Sequence, residues 1–344
     1  MPKVVVYPYY PENPYQANIE RYIDIPGIVF DNIKFKNVPR ILSYLFGLSK
    51  TDIIHLHWLN NITQTKSILL SLSLTIVFII ALIFNYLFVR NRIIYTMHNK
   101  ISHYKRLRTL DKLITKIIIS TSNNVVVHAE FQKNYVNSYY GKCLNEITVM
   151  YHGIYDLPEV LPHHKSQKNT INNDLPVLIY FGRIGDYKNI SKAAKIVSQQ
   201  RCKLILMGYC ASSTLEKELL TLIKNNPDKV EWENKEFTEL ELVKKAQDSD
   251  FIILPQPDIF TSGSALLALS LYKPILAHKS EFYTEIFGDC VVQYSMIENL
   301  NELDGFIDLL RGVSIDKLKT LEENYQWHRT ILPLRNIYNS IKYN

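Results

Sequence analysis

Short apolar, β-branched runs recur along this 344-residue chain, each followed by a segment of helix length. In the first half they lie at 3–7, 53–57, 93–97, 124–127 and 146–150. In the second half they lie at 177–181, 203–207, 230–232, 251–254 and 274–277. Strands spaced this way need crossover connections, so the pattern predicts βαβ units and a parallel, doubly wound sheet. The pattern occurs twice. Between the two series lies LPEVLPHHKSQKNTINNDLP, rich in Pro, Asn, Lys and Ser and without an apolar period, as in a linker. The expected fold is α/β with two Rossmann-like lobes, at 1–160 and 177–320, joined by a linker at 161–176. Open parallel sheets take ligands at the carboxyl ends of their strands, so two such lobes imply an interlobe cleft.

Composition permits this: 47% hydrophobic residues suffice for two real cores. A net charge of +6 suggests anionic partners without choosing among phosphates, acidic lipid and nucleic acid. The four cysteines (143, 202, 210 and 290) form no CxxC pair, which fits a reducing cytoplasm better than a disulfide framework or a zinc site. MPKVVVYPYY begins a strand at once and lacks the charged-then-apolar layout of a signal peptide.

From Ser67 to Val89 the chain carries no charge over 23 positions, SILLSLSLTIVFIIALIFNYLFV. By length this is a membrane-span candidate. It sits, however, between IIHLHW and IIYTMHN, which read as neighbouring strands of one sheet. The favoured expectation is a crossover helix whose outer face dips into a membrane; a fully buried lobe helix and a genuine span are the alternatives. Eight basic residues follow between Arg90 and Lys116 (Arg90, Arg92, Lys100, Lys105, Arg106, Arg108, Lys112, Lys116) against one acid, Asp111. A basic cluster beside an apolar helix suits an anionic membrane surface, although a solvated helix face gives the same charge pattern.

Two stretches of the second half carry chemistry. In YFGRIGDYKNI a strand ends at Phe181, Gly182 allows a tight turn, and Arg183 and Lys188 follow five apart. Two cations so placed can clamp a diphosphate and stabilise it as a leaving group. In DIFTSGSALLALSLYKPILAH, Thr261, Ser262, Gly263 and Ser264 precede an apolar helix. Such a helix start can receive phosphate oxygens, or can simply be N-capped.

The order GR(x4)K, then an Asp–strand–Pro element from Asp250 to Pro255, then TSGSALLALSLYKPILA resembles the donor lobe of GT-B glycosyltransferases. The bacterial enzymes of exopolysaccharide, capsule and O-antigen assembly are the most similar. ENPYQ, HLHW, TMHN and HGIY resemble first-lobe landmarks of that group, and YQWHRTILPLRNIYNSI, within 321–344, resembles the terminal helix that packs back on the first lobe. The resemblance implies a metal-independent transfer of a hexose-type sugar from a UDP- or GDP-sugar, with no further cofactor. The implied acceptor is a polyprenyl-diphosphate-linked saccharide at the cytoplasmic face of the plasma membrane. Gly182, Arg183, Lys188 and Thr261 to Ser264 would bind the donor diphosphate, and His98 would contact the sugar or assist the transfer.

One departure matters. Many retaining members carry two glutamates flanking this helix start, and those positions here are Ile259 and Leu267. Retention is therefore in doubt, and inversion would need a general base such as an imidazole. Of His55, His57, His98 and His103, with Asp52 and Glu12 as further options, His98 is preferred because it lies at the carboxyl end of a predicted strand. His55 and His57 alternate on one strand and should face one side. Trp58 and Tyr155 are candidates to stack on a sugar. No Gly-x-Gly-x-x-Gly, GKS/T or Gly-x-Ser-x-Gly motif is present, and the 23 tyrosines are dispersed, so a nicotinamide enzyme, P-loop ATPase, serine hydrolase or nucleic-acid partner is not expected. The rival readings are a sugar-nucleotide epimerase, which would need cleft carboxylates, and an inactive membrane-bound partner of another transferase.

Overall fold

The computed structural model describes residues 1–59, 62, 65, 67–100, 107–157 and 175–340; His103, Lys105, Arg106 and most of the expected linker lie outside them. The chain divides into two compact units, Met1–Gly153 with Tyr325–Asn344, and Ile154–Asn324.

In the first unit β1 (Lys3–Tyr9), β2 (Val29–Lys34), β3 (Ile53–Leu56), β4 (Arg92–Thr96), β5 (Asn124–Val127) and β6 (Ile147–Val149) form a parallel sheet in the order β2-β1-β3-β4-β5-β6. The connecting helices include α1 (Pro14–Ile23), α2 (Val38–Leu45), α3 (Ile68–Phe84), α4 (Arg108–Thr121) and α5 (Glu130–Tyr140). Val4, Ile53, Ile94 and Val126 come from four adjacent strands and share one buried cluster with Trp327, Ile331 and Leu334 of the terminal helices. Arg335 there donates to the carbonyls of Tyr22 (2.8 Å) and Ile23 (3.2 Å), satisfying acceptors that the end of α1 leaves open.

In the second unit β7 (Val177–Phe181), β8 (Lys203–Met207), β9 (Val230–Glu233), β10 (Phe251–Leu254), β11 (Ile275–His278) and β12 (Val291–Tyr294) form another parallel sheet, ordered β12-β11-β10-β7-β8-β9. Its helices include α6 (Ile190–Val197), α7 (Ser213–Asn225), α8 (Glu239–Gln247) and α9 (Gly263–Ser270). Strand order reverses between β7 and β10, and such a switch point opens a crevice at the carboxyl ends of the two strands.

Two strands, β2 and β12, escape the sequence reading, and both are sheet edges. In VFDNIK only Ile33 is buried, and in VVQY only the first and last residues are. An edge strand packed so lightly needs no continuous apolar run, so the signal used for the central strands is missing.

Helix α3, with the π-helical turn Asn85–Val89 that continues it, is the crossover between the hydrogen-bonded parallel neighbours β3 and β4. Its amphipathicity is inverted. Ser71, Thr75 and Asn85 face the interior with Phe78, Ala81 and Leu82. Thr75 bonds back to the Ser71 carbonyl (2.7 Å), and Asn85 donates to the Asn91 carbonyl (3.0 Å). Leu69 is 76% exposed and Phe88 is 70% exposed, with Ile76, Ile80 and Leu87 also outside. The fully buried lobe helix is thereby corrected. Of the basic residues that follow, Arg90, Arg108, Lys112 and Lys116 are exposed. Arg92 instead donates to Ser340 and Asn124, and Lys100 lies over the Tyr135 ring.

Candidate functional site

At the switch point of the second unit β7 hands the chain to Gly182, whose φ of +124° suits glycine. A Cβ there would meet Ser264 Oγ at 3.3 Å and Lys188 Nζ at 3.6 Å, so three sequence-predicted residues converge on one backbone position. Lys188 Nζ donates to the Tyr180 hydroxyl (3.1 Å), which in turn donates to the Arg183 carbonyl (2.9 Å). The ammonium also lies near the rings of Tyr180 and Tyr187. Burial, and then the positive charge of Arg183, push Lys188 down to about 8. Among the described residues no carboxylate forms a salt bridge with it. A desolvated cation held beside a second cation is a site that an anion would relieve.

Helix α9 begins against this loop. Ser262 caps it, accepting from the Ala265 N–H (3.2 Å), and Ser264 Oγ donates to the Phe181 carbonyl (3.2 Å). Both hydroxyls therefore serve the fold, and the helix start is locked to the end of β7. The N–H groups of Gly263 and Ser264 have no acceptor within the helix and are the donors an anion would meet. Thr261 precedes the cap and is half-buried. The Tyr155 hydroxyl lies 2.6 Å from where a Cβ of Gly263 would stand, so the glycine admits that ring. Beside the loop lies an open cavity of about 470 Å³ lined by Gly182, Arg183, Gly208, Tyr209, Lys235 and Phe237.

The first unit gathers histidines at the carboxyl edge of its sheet. His57 follows β3, His98 follows β4, His128 follows β5 and His152 follows β6; His55 lies within β3, its ring 4.1 Å from that of His57. His57 Nδ1 lies 3.2 Å from His98 Nε2, His98 Nδ1 lies 3.3 Å from His128 Nε2, and His128 Nδ1 lies 2.8 Å from the Met150 carbonyl. His55 is bonded separately, to Thr96 (2.7 Å) and Tyr338. Trp58, at a φ of +24°, stacks on His98 with centroids 4.0 Å apart, and Tyr15 meets the same ring edge-on. Burial holds every one of these imidazoles down, His55 to about 3 and His128 to about 4. Burial first, then the neighbouring imidazoles, keep His98 well below its ordinary value. Among the described residues no set of three His, Cys, Asp or Glu side chains is arranged to hold a metal ion.

No protein-family model matches the chain, and no curated protein matches it in sequence. Solved structures do match it in fold. A glycosyltransferase from Rickettsia africae superposes with a TM-score of 0.67 at 14% identity, covering 99% of this chain and 98% of its own. Anabaena Alr3699/HepE, solved with UDP and glucose, gives 0.67 at 12% identity over 99% and 100%. The lipopolysaccharide outer core galactosyltransferase WaaB gives 0.66 at 12% identity over 98% and 99%. The chain has the GT-B fold. At these identities the likeness carries the architecture alone, and the chemistry lies in the residues of the site.

Within this GT-B chain, Gly182, Arg183, Lys188, Ser262, Gly263 and Ser264 occupy one locus of the second unit, with Thr261 adjoining. His98 belongs to the first unit, and in the arrangement seen both of its ring nitrogens are engaged by other histidines. The two glutamate-equivalent positions, Ile259 and Leu267, are buried core residues. Sequence reasoning missed Tyr180, which ties Lys188 to the Arg183 backbone, and His128 and His152. A signal for the histidines existed: each of four successive strands has an imidazole within three residues of its end.

Proposed function

We propose that this GT-B protein is a glycosyltransferase whose second unit binds a UDP- or GDP-linked hexose. Its acceptor is a polyprenyl-diphosphate-linked saccharide of bacterial surface polysaccharide assembly, met at the cytoplasmic face of the plasma membrane. The observation that carries the reading is the convergence of Lys188, Gly182 and the start of α9 at the switch point. In the transfer the anomeric C–O bond breaks, its electron pair leaves with the diphosphate, and the acceptor oxygen bonds the anomeric carbon and gives up its proton. Arg183, Lys188 and the N–H groups of Gly263 and Ser264 would stabilise the leaving charge without a metal. The cavity beside Gly208 has the size for a nucleoside. His98 is the proposed partner of the acceptor hydroxyl, which would have to displace His57 from Nε2.

Binding should take up a proton. Lys188 is held at about 8 when free, and a diphosphate would raise it. Near pH 8 about half a proton should be absorbed per UDP bound, and affinity should fall by up to about tenfold per pH unit above that. Calorimetric titrations at pH 8 in two buffers of different ionisation enthalpy measure this directly. Equal apparent enthalpies in the two buffers would remove Lys188 from the anion site.

The membrane half of the proposal rests on the inverted α3 and the exposed cations Arg90, Arg108, Lys112 and Lys116. An outward face of Leu, Ile and Phe beside positive charge suits a peripheral or monotopic seat on anionic lipid. Ile80→Lys with Phe88→Lys should abolish flotation with vesicles containing anionic lipid and leave UDP affinity unchanged. A double variant that still floats would place the anchor elsewhere.

A further inference from the structure

Four consecutive strands of the first sheet deliver imidazoles to one edge, and three of these form an unbroken hydrogen-bonded chain, His57–His98–His128, ending on the Met150 carbonyl. A carbonyl oxygen can only accept, so His128 Nδ1 must carry its proton. A neutral His128 then has a lone pair at Nε2, which obliges His98 to donate from Nδ1. That in turn leaves a lone pair at His98 Nε2, which accepts from His57 Nδ1. One backbone carbonyl thus sets the tautomer of three rings in succession. Burial keeps all three rings neutral at pH 7.

The surroundings hold the chain in this register. Gln132 accepts from the backbone N–H of His128 (2.6 Å), and the indole of Trp58 covers one face of His98. Tyr15 packs its ring against His98, His128 and His152. The backbone N–H of His57 donates to the Tyr7 carbonyl (2.8 Å), which fixes the far end.

We infer that His128 and His57 are positioning residues for His98: His128, anchored on Met150, forces His98 to present its lone pair at Nε2, and His57 holds that lone pair until an acceptor hydroxyl takes its place. The mechanistic part rests on the reading of His98 as the partner of the acceptor hydroxyl; the tautomer order stands on the first unit alone. A hydroxyl arriving at His98 Nε2 would deliver its proton there. The imidazolium so formed would be stabilised through its Nδ1–H bond to His128.

Long-range ¹H–¹⁵N correlation spectra of the full chain with ¹⁵N-labelled histidine, at pH 7.5, test the order without any need for activity. His57, His98 and His128 should all appear as Nδ1–H tautomers; an Nε2–H tautomer at any of the three overturns the relay. His128→Gln, which keeps an acceptor near the Nε2 position, should leave His98 as the Nδ1–H tautomer. His128→Phe should release it to a mixture of both forms. In a transfer assay with UDP-glucose, His128→Phe should lower kcat at least tenfold with donor KM nearly unchanged, and His128→Gln should recover most of the loss. A kcat unmoved by His128→Phe in an active enzyme overturns the positioning role. Absence of transfer by the wild type with any donor counts against the glycosyltransferase reading instead, and the spectra still decide the tautomer order.

Discussion

Lowering the pH from 7.5 to 5 should drop the melting temperature of the first unit by about 10 °C or more, while the second unit barely responds. The cause is the set of buried imidazoles. His55 is held at about 3 and His128 at about 4, both by burial, against an ordinary value near 6.5. Between those values the unfolded chain binds protons that the folded chain refuses. Stability is therefore fully present above about pH 6.5 and falls as the pH drops towards 4. At pH 5 each of these two groups withdraws about 2 kcal/mol, and His57, His98 and His152 act in the same direction. The loss of about 4 kcal/mol from His55 and His128 alone corresponds, in a unit of this size, to the lower end of the shift stated. The second unit has no buried histidine among its described residues. Hydrogen exchange read by mass spectrometry, with calorimetry at each pH, assigns the transition to its unit. Equal protection of the first unit at both pH values would mean that the imidazoles are hydrated or already charged.

The second large effect belongs to Gly208→Ala. Gly208 follows β8 beside Gly182, and a Cβ on it would stand 1.9 Å from the Gly182 carbonyl oxygen and 2.8 Å from its carbon. Both obstacles are backbone, so no rotamer change relieves them. The two strand ends are also tied together: Gly182 N–H donates to the Met207 carbonyl (3.0 Å), and Trp232 Nε1 donates to that of Gly208 (3.0 Å). The methyl must displace the loop that carries Arg183. We expect a loss of about 3 kcal/mol or more in denaturant unfolding and at least a tenfold loss of UDP affinity. Gly305→Ala is the control. A Cβ there meets nothing within 4 Å, and removing a glycine from the helix Leu303–Arg311 should stabilise by about 0.5–1 kcal/mol. Normal UDP affinity in Gly208→Ala would detach the candidate anion site from the β7–β8 edge.

The sequence carries the architecture well because central parallel strands, buried on both faces, must be continuous apolar runs such as VLIYF and FIIL. The edges β2 and β12 escape for the converse reason. The candidate anion site is legible in part: strand–Gly–Arg and Ser–Gly–Ser before a helix point to two loops that the fold brings together. What the sequence does not reveal is that the Ser262 and Ser264 hydroxyls are engaged by the fold, so that in the proposed site the backbone N–H groups would meet the anion. Tyr180 is hidden because its role depends on a hydroxyl reaching back over the turn to Arg183 and Lys188. The greasy helix is evident from composition alone, but only packing reveals that its few polar side chains point inward. His98 stands out singly in the sequence, whereas its partners are joined to it by pairing of strands distant along the chain.

The proposed nucleoside-diphosphate site at the switch point of the second unit, governed by Lys188, stands or falls on nucleotide binding. Isothermal titration of the full chain with UDP and with GDP at pH 7.5, alongside Lys188→Ala, measures this. At least one nucleotide should bind the wild type, and Lys188→Ala should weaken it by about 1.5–3 kcal/mol, roughly ten- to 150-fold. No heat from either nucleotide would remove the nucleotide from this protein, and an affinity that Lys188→Ala leaves unchanged would remove Lys188 from the site.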